Sequence, residues 1–213
     1  MFNTLILALA VVLSPVSMPA SGSPSMVIAS EQMNMNERYG NTFVNDVFKD
    51  NILLTLNYMN GKVTSAKDIN WSEIEKPATY EFTLKPGEEF AFHGDVLPEY
   101  KGKVAVTTKA HFNYTDGFKS DGYLTGDGVC HLASLVYWVA KDANLEAVAP
   151  TNHNFAVIQG IDRKYGVGIY DNPTEPSGSG MSNLYIKNTK NEAIKFVFEY
   201  KDSILKLSIV SSK

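Results

Sequence analysis

Cysteine occurs once in the 213 residues, as Cys130, and histidine four times. A lone cysteine cannot close an internal disulfide. It is an intermolecular partner, an inert buried thiol or a reactive thiol. No zinc-ligand spacing, phosphate loop or dinucleotide glycine motif is present, so neither a metal nor a cofactor is expected. Positive charge is also scarce. Nineteen Lys and Arg stand against 23 Asp and Glu, for a net charge of −4. The basic residues are scattered, and no basic field argues for nucleic acid. Long apolar runs are missing as well. Residues 5–13 are unbroken apolar, but a bilayer span needs roughly 20 residues.

That short run does suit the apolar segment of a secretory signal. Small residues follow it: Ser17, Ala20, Ser21, Gly22 and Ser23. Cleavage is expected near Ala20 or Ala29, although no Lys or Arg precedes Arg38. Residues 1–30 therefore read as a leader, with 21–36 a disordered remnant, and 37–213 as the folded domain. The product is expected outside the cytoplasm, in a bacterial envelope or beyond it, with no stable membrane span once the signal is removed.

Apolar residues recur every three to four positions from Phe43 to Met59, which predicts a helix stopped at Asn60-Gly61. Residues 62–78 read as a loop. Tyr80–Leu84 alternates like a strand, Lys85-Pro86-Gly87-Glu88 is turn chemistry, and Phe90–Phe92 resumes a strand, so 79–93 reads as a hairpin or a bent strand pair. Val104–Thr108 is a further strand. A glycine- and aromatic-rich loop leads to a second helix at 130–144, for which Asp127 is the expected N-cap. Beyond Pro150 the pattern is β: 155–158, 166–170, 184–186, and 194–200 with 204–209 as a hairpin. No repeat or linker divides the chain. The expectation is one α+β domain, an antiparallel β-sheet with two main helices.

The chemistry centres on Gly126-Asp127-Gly128-Val129-Cys130-His131. A thiol in the first turn of a helix sees the positive end of the macrodipole, which favours thiolate. Glycines 126 and 128 would let a substrate approach the backbone, whose amides could hold an oxyanion. His153 precedes one expected strand and Asp171 ends the next. If those strands paired as a hairpin, imidazole and carboxylate would lie side by side, as a base and its orienter do. Cys130, His153 and Asp171 are thus the candidate catalytic residues, with Gly126, Asp127, Gly128 and His131 as the substrate or oxyanion loop. Asp162 is the alternative third member. His93 and His111 could also reach the cleft. The order Cys, His, Asp resembles that of papain-like and transglutaminase-like thiol folds.

The same residues resemble the VanW-like family. Its Gly-Gly-Gly-x-Cys-Gln stretch corresponds to Gly126–His131, followed by Asn152-His153 and an Asp best matched by Asp171. Asn51-Ile52 to Asn60-Gly61, Pro86–Phe92 and Asn183–Asn188 resemble further family segments. Two positions depart from the pattern: Asp127 replaces a glycine and His131 a glutamine. The family takes its name from vancomycin-resistance gene clusters and is associated with the cell envelope. The resemblance implies an envelope protein whose partner is a cell-wall peptide or glycan-peptide. Two functions fit it: a thiol enzyme performing acyl transfer or amide hydrolysis, and a non-catalytic binding module using Tyr114, Phe118, Tyr123 and Trp138. A structural domain with an inactive cleft is the third reading.

Overall fold

The computed structural model describes residues 26–172 and 174–211. Eight strands among them form two four-stranded sheets. In chain order they are β1 (Val27–Asn34), β2 (Ala78–Leu84), β3 (Glu89–Ala91), β4 (Val104–Val106), β5 (Glu146–Val148), β6 (Tyr185–Lys187), β7 (Ile194–Lys201) and β8 (Ile204–Ser211). The first sheet runs β1-β8-β7-β2 and is antiparallel throughout. The second runs β4-β3-β6-β5, with β3–β4 its parallel pair. The helices are α1 (Thr42–Met59), α2 (Trp71–Ile74), α3 (Val129–Asp142) and α4 (Pro176–Met181). The molecule is a single α+β domain in which α1 and α3 are the long helices.

The period of two in β2 and β7 turns Tyr80, Phe82, Leu84, Ile194, Phe196 and Phe198 inward. Phe82 joins the two sheets, its ring centroid 4.5 Å from that of Phe196 and 4.9 Å from that of Phe90. Helix α1 is buried almost continuously from Val47 to Met59, as a helix packed on all sides must be. The Asn41 side chain caps its N-terminus by accepting from Val44 N, and Gly61 at φ +72 follows its end. Helix α3 lies against α1, β1 and β8. The β7–β8 turn has Asp202 at φ +51 and Ser203 at φ +60, the two left-handed residues of a type I′ hairpin.

Three expectations need correction. Residues 27–36 are not a disordered remnant: β1 pairs along its length with β8, because β8 otherwise has one open edge. Cleavage after Ala29 would remove residues from this strand. The earlier part of the leader lies outside the described residues. Strands β2 and β3 do not pair with each other; the Lys85–Glu88 turn, closed by Glu88 N donating to Lys85 O (3.0 Å), carries the chain from one sheet to the other. Residues 154–171 contain no regular strand. Their pairing is a single bridge, Asn152 with Val167, while Phe155 and Val157 stand exposed.

Candidate functional site

The start of α3 is set by how closely its glycines let other backbone approach. Gly128 caps the helix at φ +95, and a Cβ there would lie 2.5 Å from Phe48 O and 2.8 Å from Phe48 Cα. At Gly126, φ +86, a Cβ would lie 2.6 Å from Phe112 O. The space a Cβ would take at each is filled, by α1 at Gly128 and by the preceding loop at Gly126. Asn51, fully buried on α1, ties both arms of the loop: its Nδ2 donates to Lys119 O (3.0 Å) and Asp127 O (2.9 Å), and its Oδ1 accepts from Lys119 N (2.8 Å). The loop amides are partly spent as well, Val129 N on Gly126 O (3.2 Å) and His131 N on Gly128 O (2.9 Å). Asp127 does not cap the helix, since Gly128 holds that position. Burial and the neighbouring Asp121 push its carboxyl up to about 6.

Cys130 is half-buried in the first turn of α3. Its Sγ accepts from Ile169 N (3.4 Å) and lies 3.7 Å from Ile169 O. Burial pushes the thiol up to about 11, so desolvation outweighs the helix dipole that would favour thiolate. One turn on, Ser134 Oγ donates to Cys130 O (2.7 Å) and accepts from Val167 N (2.9 Å). Side chains of α3 therefore supply hydrogen bonds to residues 167–169 that a neighbouring strand would otherwise provide. The opposite edge of the segment is met by 151–153 instead of 155–158: Gly168 N donates to Thr151 O (2.9 Å) and His153 N to Gly166 O (3.2 Å).

His153 is buried, with Nδ1 3.2 Å from Ala156 O and its ring centroid 4.0 Å from that of Phe155. Burial lowers its pKa below the usual imidazole value. His153 N donates to Gly166 O, which places the residue at the far end of the short ladder from Asp171. No hydrogen bond joins any two of Cys130, His153 and Asp171 among the described residues. His131 packs edge-on against Phe48 (4.9 Å) in the seam between α1 and α3, with Nδ1 unpartnered. Burial and the nearby Arg38 push it down to about 3. Asp162 accepts from Lys164 N (3.1 Å) in a turn, away from Cys130.

Asp171 lies instead in a cleft of about 340 Å³ whose lining includes His111, Phe112, Gly126, Val129 and Ile169. Apart from the acid Asp95, neither of its carboxylate oxygens has a partner among the described residues. Burial pushes the group up to about 6, and Asp95 lies close enough to share its proton. Across the cleft His111 Nδ1 is 3.0 Å from Asp116 Oδ2. Asn183, fully buried, fixes the Asp95 segment by donating to the carbonyls of His93 (3.2 Å) and Asp95 (3.1 Å). His93 turns away, its Nε2 3.1 Å from Ser182 O. No three His, Cys, Asp or Glu side chains converge as metal ligands would among the described residues.

Comparison with protein families matches residues 76–210, more than half of the chain, to VanW like protein. The chain belongs to the VanW-like family. That places it among vancomycin-resistance-associated proteins. No curated protein and no solved structure gives a significant match. The VanW-like match opens just before β2, so β1, α1 with Asn51, and the turn between them with Arg38 all precede it.

Asp95, Asn51 and Arg38 were not legible as site residues in this VanW-like chain. Asn51 sits 68 and 76 positions from the loop residues it holds, and none of the three lies in a local motif. Of the aromatics expected in a binding surface, Tyr114 and Tyr123 are exposed. Phe118 is core, stacked 6.0 Å from Tyr58, and Trp138 stacks 5.5 Å from Tyr165. No helix among the described residues is long and apolar enough to cross a membrane. The Cys130 environment predicts slow alkylation. At pH 8, iodoacetamide should label the native protein about 100-fold more slowly than free cysteine, whose pKa is ~8.5. A labelling pKa at or below that of free cysteine would contradict a desolvated thiol.

Proposed function

We propose that this VanW-like chain is an exported binding module of the cell envelope, that the Asp171 cleft is its ligand site, and that Cys130 is a structural thiol. One observation carries the reading: a half-buried carboxylate whose only polar neighbour is a second acid, Asp95, at the wall of an open cleft. Buried charge without a donor is costly, and a ligand that brings donors removes that cost. The complementary group is a primary ammonium, as carried by a diamino acid of a wall-type peptide. It would donate to Asp171, be attracted by Asp95, and set its carbon stem against Phe112 and Ile169.

The test is calorimetric titration of the intact protein with a short lysine-containing peptide and its Nε-acetylated form at pH 7.5. The free amine should bind, the acetylated peptide at least tenfold more weakly. Affinity should fall below pH 6, where Asp171 takes up a proton. Asp171→Asn should abolish binding while slightly stabilising the fold above pH 6. A raised carboxyl pKa costs stability at high pH, and that cost disappears as the group protonates. For this half-exposed group the gain is at most about 1 kcal/mol. Equal binding by both peptides, or cleavage of either that depends on Cys130, would sink the reading.

A further inference from the structure

A second pocket, sharing no lining residue with the Asp171 cleft, lies between the Asn36–Gly40 turn and the loop holding Val157 and Gln159; it encloses about 440 Å³. Arg38 forms its inner wall and is only 3 % exposed. Such an arginine normally faces a carboxylate. This one has none within ion-pairing distance among the described residues. Its Nε donates to Asn34 O (2.7 Å), and Nη1 meets only the weakly accepting Met33 Sδ (3.5 Å). The second terminal nitrogen, Nη2, has no hydrogen bond to any described residue. It faces the Gln159–Gly160 turn on the pocket wall, where a Cβ on Gly160 would stand 3.9 Å away with nothing nearer. The backbone that carries the side chain is pinned as well, since Asn45 Oδ1 accepts from Arg38 N (2.6 Å) and Tyr39 N (3.2 Å).

We infer that this pocket binds a carboxylate, and that Arg38 reads it as the free C-terminus of a short peptide. The charge balance selects the class. Arg38 contributes one buried positive charge with no carboxylate in ion-pairing contact among the described residues. His131 and His153, the titratable groups near it in the core, are held neutral by burial and add none. Glu37, exposed on the same pocket, works against a dianion. A planar monoanion matches the guanidinium fork and needs no second cation. The volume exceeds what a bare ion requires and suits a ligand of dipeptide size, with Val157 and Tyr39 beside its side chains and the Gln159 amide available to its backbone.

The experiment follows the Arg38 Nε–H, Gly160 N–H and Gln159 amide resonances of the intact protein by NMR. The probes are N-acetyl-alanyl-alanine, the same dipeptide as its C-terminal amide, and inorganic phosphate. The free acid should give saturable shifts at these three groups, with the amide at least tenfold weaker and phosphate weaker than the acid. Arg38→Gln should abolish the shifts. Gln159→Glu, at an exposed position, should leave the melting temperature unchanged and weaken the acid at least fivefold, so the inference stays testable if the arginine variant does not fold. It is overturned if acid and amide bind alike, if no shift saturates, if phosphate binds more tightly, or if Gln159→Glu leaves binding of the acid intact.

Discussion

Gly128→Ala should cost the fold about 2–5 kcal/mol, a large share of the usual margin of about 5–15 kcal/mol. Two costs combine. The residue sits at φ +95, where an L side chain is strained by roughly 1–2 kcal/mol. The added Cβ would lie 2.5 Å from Phe48 O and 3.0 Å from Phe48 C. Those atoms are backbone of α1, and α1 is locked in the core, so the contact cannot be relieved by turning a side chain. Overpacking of this kind costs about 1–3 kcal/mol more. The control is Gly122→Ala, at φ +103 with nothing within 4 Å of the added atom; it should lose only the backbone component. Urea unfolding of both variants at pH 7.5 makes the comparison. Equal stabilities would mean that Gly128 does not seat α3 on α1.

The same glycine shows where local reading succeeds and fails. The spacing of Leu132, Leu135, Val136 and Val139 predicts α3 within two residues of its observed ends, because an apolar stripe needs only its own helix to be recognised. The β7–β8 hairpin and the α1 stop at Asn60-Gly61 are legible for the same reason: turn residues act over three or four positions. The Gly126-Asp127-Gly128-Val129-Cys130 motif is local too, yet its purpose is not. Whether a glycine opens space for a substrate or yields it to another helix depends on Phe48, 80 positions away in the chain. The helix dipole at Cys130 can be inferred from position alone. The burial that pushes its thiol up to about 11 depends on the 166–171 segment lying across α3. Phe155 to Ile158 looks like a strand by composition, but the segment it was expected to pair with bonds to Thr151 and His153 on one edge and to Ser134 and Cys130 of α3 on the other. The sequence singles out Asp171 as a candidate, but the structure holds it apart from His153, which bonds to Gly166 at the other end of the ladder. Asp95, the neighbour of Asp171, is held in place by Asn183, a connection that no spacing rule encodes.

His131→Gln should remove a large part of the protein's sensitivity to acid. His131 is 5 % exposed, stacked on Phe48 and 6.2 Å from the His153 ring, with Arg38 nearby. Desolvation comes first in holding its pKa at about 3, and the positive charge of Arg38 adds to it. In the unfolded chain the same imidazole titrates near 6.5. The folded pKa is depressed, so the stabilising preference for neutral imidazole is fully present above pH 6.5 and is lost progressively as pH falls toward 3. Below 6.5 the loss approaches about 1.4 kcal/mol per pH unit, or roughly 2 kcal/mol by pH 5. Asp127 and Asp171 act oppositely. Their raised pKa values mean the folded state gains protons near pH 6, before the unfolded chain does. His93 and His153, also lowered by burial, act in the same direction as His131. Because these groups are common to both proteins, the difference between wild type and variant isolates His131. Denaturant unfolding at pH 7.5, 6.0 and 5.0 should show that difference move by about 2 kcal/mol in favour of the glutamine variant. Curves that stay parallel across this range would mean His131 takes up its proton inside the fold, and that the seam between α1 and α3 is wetter than its packing against Phe48 implies.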